Sequence, residues 1–177
     1  VTEILTGLRR SRTGLIAAPA WLAEYVFGYA VDESDVGMRM RCVPNGRVVA
    51  VIDVGADPRR VLLAAEQPLS PVAGLHDTPQ FVEQSGQRCA IAVILTPWGA
   101  HMLFGIGMHE LANMHLSFND LLGRPARELS ERLAEQASWP ERVALLSATL
   151  SRWFASRPEP HREVVRAWQL LVGFSVS

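Results

Sequence analysis

RPARELSERLAEQASWPERVALLSATLSRWF, residues 124–154, encodes two amphipathic helices, and each carries its own start signal. Leu122, Ala126, Leu129 and Leu133 recur at steps of four, three and four, an apolar stripe at helical period. Pro125 fits the first turn, where a missing N–H costs nothing. Arg127, Glu128, Glu131, Arg132 and Glu135 fill the wet face. Glu128 and Arg132 form an i,i+4 pair worth about 0.3 kcal/mol, which tunes the helix without holding it. Ser138-Trp139-Pro140-Glu141 then restarts the chain, with Ser138 as cap, Glu141 completing a capping box and Pro140 inside the first turn. Val143, Leu146, Leu150 and Trp153 follow, and Leu145 and Phe154 widen the stripe beyond what one neighbour would cover. Leu145, Trp153 and Phe154 are therefore candidate interface residues, facing either the next helix or a second subunit.

Upstream, the texture is β. Met38, Met40 and Cys42 alternate with Arg39, Arg41 and Val43, strand periodicity with one face wet or lining a polar cavity. Pro44-Asn45-Gly46 suits a hairpin turn, and Val48 to Val54 reads as an interior strand. Asp53 interrupts that run, and either reaches the surface or accepts backbone N–H groups. Gly55-Ala56-Asp57-Pro58 closes the pair. Val61 to Ala65 and Pro71 to His76 offer two more strands, and Phe81 to Gln84 with Arg88 to Leu95 a second hairpin. No helix of ten or more residues fits between Met38 and Leu95, which argues against βαβ units and for a small barrel or sandwich.

The flanks are shorter pieces. Residues 1–14 read as loosely held, with an extended contribution from Ile4 to Leu8. Ala20 to Phe27 suggests a short helix with Trp21, Leu22, Tyr25 and Val26 inward, and Tyr29 to Val31 a strand start. Ala100 to Phe104 offers one helical turn, and Met108 to Met114 a short helix with Leu111 inward. After Arg157-Pro158-Glu159-Pro160, His161 to Val172 carries Val164, Trp168, Leu171 and Val172 on one side. That apolar stripe expects cover from a further module.

The fold class is thus α+β: a small β-barrel or sandwich followed by a helical segment. Residues 1–122 form a β-rich domain, 123–157 a helical pair packed on it, and 158–177 a linker and the first helix of a following module. The chain of 177 residues suffices for one domain with a real core. A formal charge of −1 gives no general attraction to nucleic acid, and no basic tract supplies one locally. Cys42 and Cys89 are too few for a disulfide framework, and no apolar run is long enough for a membrane span. A cytoplasmic protein is the expectation.

Five histidines, His76, His101, His109, His115 and His161, invite a metal, but no H-x-H, H-E-x-x-H or C-x-x-C spacing occurs. No nucleophile elbow, phosphate loop or carboxylate pair emerges either, so the expectation is a non-enzymatic domain without cofactor or metal. A non-covalent pocket fits better. Trp98 and His101 lie just past a central strand, where Trp98 could stack a planar ligand and His101 hydrogen-bond to it. Arg39 and Arg41 could pair with a carboxylate if their strand face is interior, and Tyr29 and His76 are further candidates. Each has a structural alternative: a core tryptophan, a capping histidine, a solvated arginine face.

Arg41-Cys42-Val43-Pro44-Asn45-Gly46, Thr96-Pro97-Trp98-Gly99-Ala100 and Leu121-Leu122-Gly123, with the Leu129 to Leu133 helix, together resemble the amino-terminal domain of one branch of the AraC family of transcription regulators. Trp139, Glu141-Arg142 and Leu145-Leu146 continue the likeness, which spans about residues 15–172. That branch commonly has Pro-Asp-Gly where this chain has Pro44-Asn45-Gly46, a mild departure because Asn and Asp are near-equivalent in turns. The resemblance implies a cupin-like sensor for a small-molecule effector, dimerisation through the helix from Ser138 to Phe154, and DNA binding only through a following helix-turn-helix domain. The histidine cluster of enzymatic cupins is not found in this sequence. A small-molecule enzyme on a β-barrel and a ligand-free interaction domain are the alternatives.

Overall fold

Strands pair according to how many of their faces avoid water. In the computed structural model, which describes residues 2–6, 9–54, 59–62, 65–157 and then Glu163, Arg166, Ala167 and Leu170, two antiparallel sheets and a set of helices make a mixed α+β fold. The strands are β1 Thr2–Thr6, β2 Arg9–Ala17, β3 Val26–Ser34, β4 Met38–Cys42, β5 Val48–Asp53, β6 Arg59–Leu62, β7 Ala65–Glu66, β8 Pro71–Ala73, β9 Gln80–Ser85, β10 Arg88–Leu95 and β11 His115–Ser117. Seven of them form one sheet in the order β1-β2-β3-β10-β5-β8-β11, and four form a second, β4-β9-β6-β7. The helices are α1 Pro97–Phe104, α2 Phe118–Leu122, α3 Arg124–Ala134 and α4 Trp139–Ala155.

Neither expected hairpin forms. β4 pairs with β9, and β5 pairs with β10 and β8, so each proposed hairpin turn instead carries the chain from one sheet to the other. The cause is in the strands themselves. β5 and β10 have both faces largely covered and become neighbours inside the large sheet. β4 and β9 each keep one wet face and pair with each other. Gly46, at a φ of 66°, and Asn45, whose Oδ1 accepts the Arg47 N–H at 3.0 Å, still make the turn that Pro44-Asn45-Gly46 announces. Asp53 Oδ2 accepts the Ser70 N–H while Ser70 Oγ accepts the Asp53 N–H, so Asp53 takes the backbone-accepting role. The closing turn at Gly55–Pro58 and most of the helix expected over 161–172 lie outside the described residues.

Other expectations change in detail. Residues 2–6 and 9–17 are paired strands, since β3 offers β2 a free edge and β2 offers one to β1. The segment after Pro19 makes only a 3-10 turn, Ala20–Leu22, before β3 begins; Leu22 and Val26 point inward but Trp21 is 70% exposed. Met108 to Met114 is a series of turns, although Leu111 is buried as expected. Two close approaches require glycine: a Cβ on Gly74 would collide with the Leu111 carbonyl, and one on Gly99 with the Tyr25 carbonyl.

The helical pair forms with its caps. The α4 capping box is complete, Ser138 receiving the Glu141 N–H and the Glu141 side chain receiving the Ser138 N–H. Gly123, at a φ of 65°, separates α2 from α3, so Leu122 belongs to the shorter helix. Glu128 pairs with Arg124 at 2.6 Å rather than with Arg132. Ala126, Leu129, Leu133, Leu146 and Leu150 are buried in one hydrophobic cluster with Val48, Ala50, Ile52, Ile91, Val93 and Leu95 of the large sheet. The helices therefore cover one face of that sheet. Among the described residues no helix is long and apolar enough to cross a membrane.

Candidate functional site

The other face of the large sheet looks toward the small one, and between them lies a cavity of about 620 Å³. That is within the roughly 300–1,000 Å³ typical of small-molecule sites. Alternation along the strands decides what lines it. β3 contributes Ala30 and Asp32, β10 Ala90 and Ala92, β5 Val49 and Val51, and β8 Pro71 and Ala73. The small sheet answers with Met38, Met40 and Cys42 from β4 and Gln80, Val82 and Gln84 from β9. Val51, Ala92 and Ala30 stand side by side in register, as do Met40 and Val82 across the gap. The space exists because alanines floor it.

Polar groups enter this apolar chamber at a few points. Asp32 Oδ2 accepts from Arg88 Nε at 2.8 Å, and Arg88 Nη1 donates to the Val36 carbonyl at 2.7 Å. Arg88 is only 2% exposed, so its charge depends on this pairing. Asp32 Oδ1, Gln84 Oε1 and His115 Nε2 are buried without a hydrogen-bond partner among the described residues. Buried polar atoms are nearly always satisfied in folded proteins, so orphans on three residues that line the cavity, Asp32 and His115 on the large sheet and Gln84 on the small one, are informative. His115 and His76 lie with ring centroids 4.8 Å apart. His76 Nδ1 must donate to the Gly74 carbonyl at 2.8 Å, since a carbonyl only accepts, which leaves its Nε2 as an acceptor when the ring is neutral. Removal from water, and then the neighbouring His76, holds His115 down at about 4, so it is neutral at pH 7.

Of the residues singled out from sequence, His76 lines this cavity and the others do not. Arg39 and Arg41 occupy the outer face of β4; Arg39 meets Glu83 at 3.3 Å and lies over the Phe81 ring, 5.6 Å from its centroid. Their partners in alternation, Met38 and Met40, take the interior because the apolar set is the one worth burying. Tyr29 faces the helices, its hydroxyl 2.9 Å from Ser147 Oγ, and burial raises its pKa. Trp98, 9% exposed, packs in the core of α1 with its indole N–H unpartnered among the described residues. His101 is exposed on the same helix, and its Nδ1 bonds the Ile106 carbonyl at 2.8 Å. Thr96 Oγ1 caps α1 by accepting the Gly99 N–H, so the Thr96–Ala100 segment builds a helix start on the far side of the sheet from the cavity. Of the interface candidates, Phe154 is buried and stacks on Tyr25 at 4.5 Å, while Leu145 and Trp153 remain half-buried.

Asp32, Gln84 and Arg88 do not stand out in the sequence, and His115 does so only as one of five histidines weighed for a metal. Two signals point to them: an Ala-x-Ala step in β10, which leaves room, and charged residues set into otherwise apolar runs.

The cavity strands also hold α4. Glu33, next to Asp32, accepts from Trp139 Nε1 at 3.3 Å. Arg142 lies over the Trp139 ring and reaches Cys89 Sγ at 3.4 Å. Cys89 is the register partner of Glu33 on β10, and burial is the main reason its thiol pKa is raised. Among the described residues no group of three His, Cys, Asp or Glu could hold a metal.

The model of a domain family of unknown function, DUF6597, matches residues 16–117, more than half of the chain. That span runs from the end of β2 through β11 and contains most of the cavity lining, with Thr13, Gly14 and Leu15 of β2 lying just before it. No curated protein and no solved structure matches the chain.

Proposed function

The chain belongs to the DUF6597 family, and on that premise we propose that it is a small-molecule sensor domain of the AraC-regulator type, with the effector held between the two sheets. The fold is then a cupin-like β-structure whose interior is the intersheet cavity. The observation that carries the reading is that cavity, of about 620 Å³, walled by small apolar residues and carrying orphaned polar atoms. An interior meant only to be packed would be filled to crystal-like density.

Strand alternation supports a route from ligand to helices. Ala30, Asp32, Ala90 and Ala92 touch the cavity, while Tyr29, Glu33 and Cys89 on the same two strands make polar contacts to α4. A ligand that shifts β3 or β10 biases the seat of α4. In an AraC-type regulator such a domain controls a separate helix-turn-helix reader of DNA, and α4 would serve in a homodimer with Leu145 and Trp153 at its surface.

The test is titration of the protein with N-phenyl-1-naphthylamine, an uncharged apolar fluorophore, in wild type and Ala92→Leu. Saturable fluorescence enhancement is expected in the wild type and at least a tenfold weaker response in the variant. Equal response in two equally folded proteins would remove the cavity as a ligand site.

A further inference from the structure

The cavity has two different ends. Register places Val49, Ile94 and Gly28 in one row, Val51, Ala92 and Ala30 in another, and Asp53, Ala90 and Asp32 in a third. Asp32, paired with Arg88 at 2.8 Å, marks one end. Arg47, two residues before Val49, marks the other, and both Asp32 and Arg47 line the cavity. Arg47 precedes Asp53, at the level of Asp32, by six residues, so roughly 20 Å separates the two ends at the rise of a strand. Between them the large sheet turns Val49, Val51, Ala92 and Ala30 to the chamber.

Arg47 is held in place and left uncommitted. Its backbone N–H donates to Asn45 Oδ1 at 3.0 Å, which fixes the residue where the chain leaves its turn. Its guanidinium lies over the Phe27 ring, 4.2 Å from the centroid. That contact uses the flat face of the guanidinium and leaves the N–H donors in its plane. Among the described residues no carboxylate or carbonyl meets those donors. Arg47 is half-buried, not sealed, so a ligand in the chamber meets it without opening the wall. A planar fork of donors at that place matches the two oxygens of a carboxylate.

We infer that the cavity takes a monocarboxylate with an elongated apolar body, its carboxylate on Arg47 and its tail running along Val49, Val51 and Ala92 toward Asp32. This rests on the reading of the cavity as a ligand site. The repulsion between the ligand's charge and Asp32 is weak, because Arg88 neutralises Asp32 at the far end.

The test is displacement of N-phenyl-1-naphthylamine at pH 7 by decanoate, below its micelle-forming range, and by its uncharged counterpart decanamide. Wild type, Arg47→Gln and Arg39→Gln are compared. In the wild type, decanoate is expected to displace the fluorophore at about tenfold lower concentration than decanamide, the worth of a charge-assisted contact at a partly exposed site. That gap should shrink as salt is raised. Arg47→Gln should close it, whereas Arg39→Gln, which removes an exposed cation on the outer face of the small sheet, should keep it. Decanamide as effective as decanoate in the wild type would overturn the ligand class and leave the cavity as a site. A gap that survives Arg47→Gln, or that Arg39→Gln closes equally, would overturn the assignment to Arg47. A fluorophore that does not bind saturably to the wild type would overturn both this inference and the sensor reading.

Discussion

Adjacent rows of the seven-stranded sheet, one residue apart in sequence, face opposite ways. Ile52 and Ile91 form a fully buried row in the core shared with the helices, continued by Val31, which also borders the cavity; Val51, Ala92 and Ala30 form the next, against the cavity. The same three strands thus build a packed core on one side and an open chamber on the other. The difference is side-chain volume. Where bulky residues meet bulky helical residues the space closes, and where alanines meet a methionine-bearing sheet it stays open.

The largest effect should come from the packed row. Ile91→Ala is expected to cost about 2–5 kcal/mol in urea denaturation, because its removed atoms leave a hole that helices cannot fill. A loss under 1 kcal/mol would mean that the helical face is as loosely packed as the cavity face.

A pH effect sharpens the cavity side. His115 titrates at about 4 in the folded protein, against 6.5 as its ordinary value, so the unfolded chain binds more protons between those pH values. Stability attached to the neutral ring is whole above pH 6.5 and is lost as pH falls through 4. With allowance for solvent screening of the half-buried ring, the loss is about 1–2 kcal/mol. Denaturation at pH 7 and pH 4 should show this pH-dependence shrinking in His115→Gln; an unchanged slope would assign it to other groups.

Ser138→Ala should cost about 1 kcal/mol by removing the α4 cap, and thermal unfolding would register it. Ala92→Leu, beside Ile91 but facing the chamber, should change stability by less than about 1 kcal/mol, since the added atoms enter open space. A cost as large as that of Ile91→Ala would mean the chamber is already full. Arg39→Ala should be nearly silent, under about 0.5 kcal/mol, because its pair with Glu83 is exposed.

The helical pair was legible because its signals are local. Ser138 and Glu141 sit three residues apart, and the Leu146–Leu150 stripe lies within one helix. Strand existence was legible for the same reason, from the Met38–Cys42 alternation and the continuous apolar runs in β5 and β10. Strand partnership was not, since β4 meets β9 and β5 meets β10 across about forty residues of chain, and a turn motif says only that the chain bends. The wetness of the strands would have been the better guide. Trp98 and His101 stand out in sequence by type, yet a helix start at Thr96 seats them on the helical side. The cavity instead draws Ala30, Val51, Gln84, Ala92 and His115 from five strands, and no local pattern joins residues so far apart in the chain.

The most direct test is an amide chemical-shift map of the protein titrated with N-phenyl-1-naphthylamine. The largest shifts are expected at Ala30, Asp32, Val51, Ala92 and Gln84, with smaller ones carried through Tyr29 and Glu33 to Trp139 and Ser147. Shifts confined to the outer surface of the helices, with the cavity strands unmoved, would contradict it.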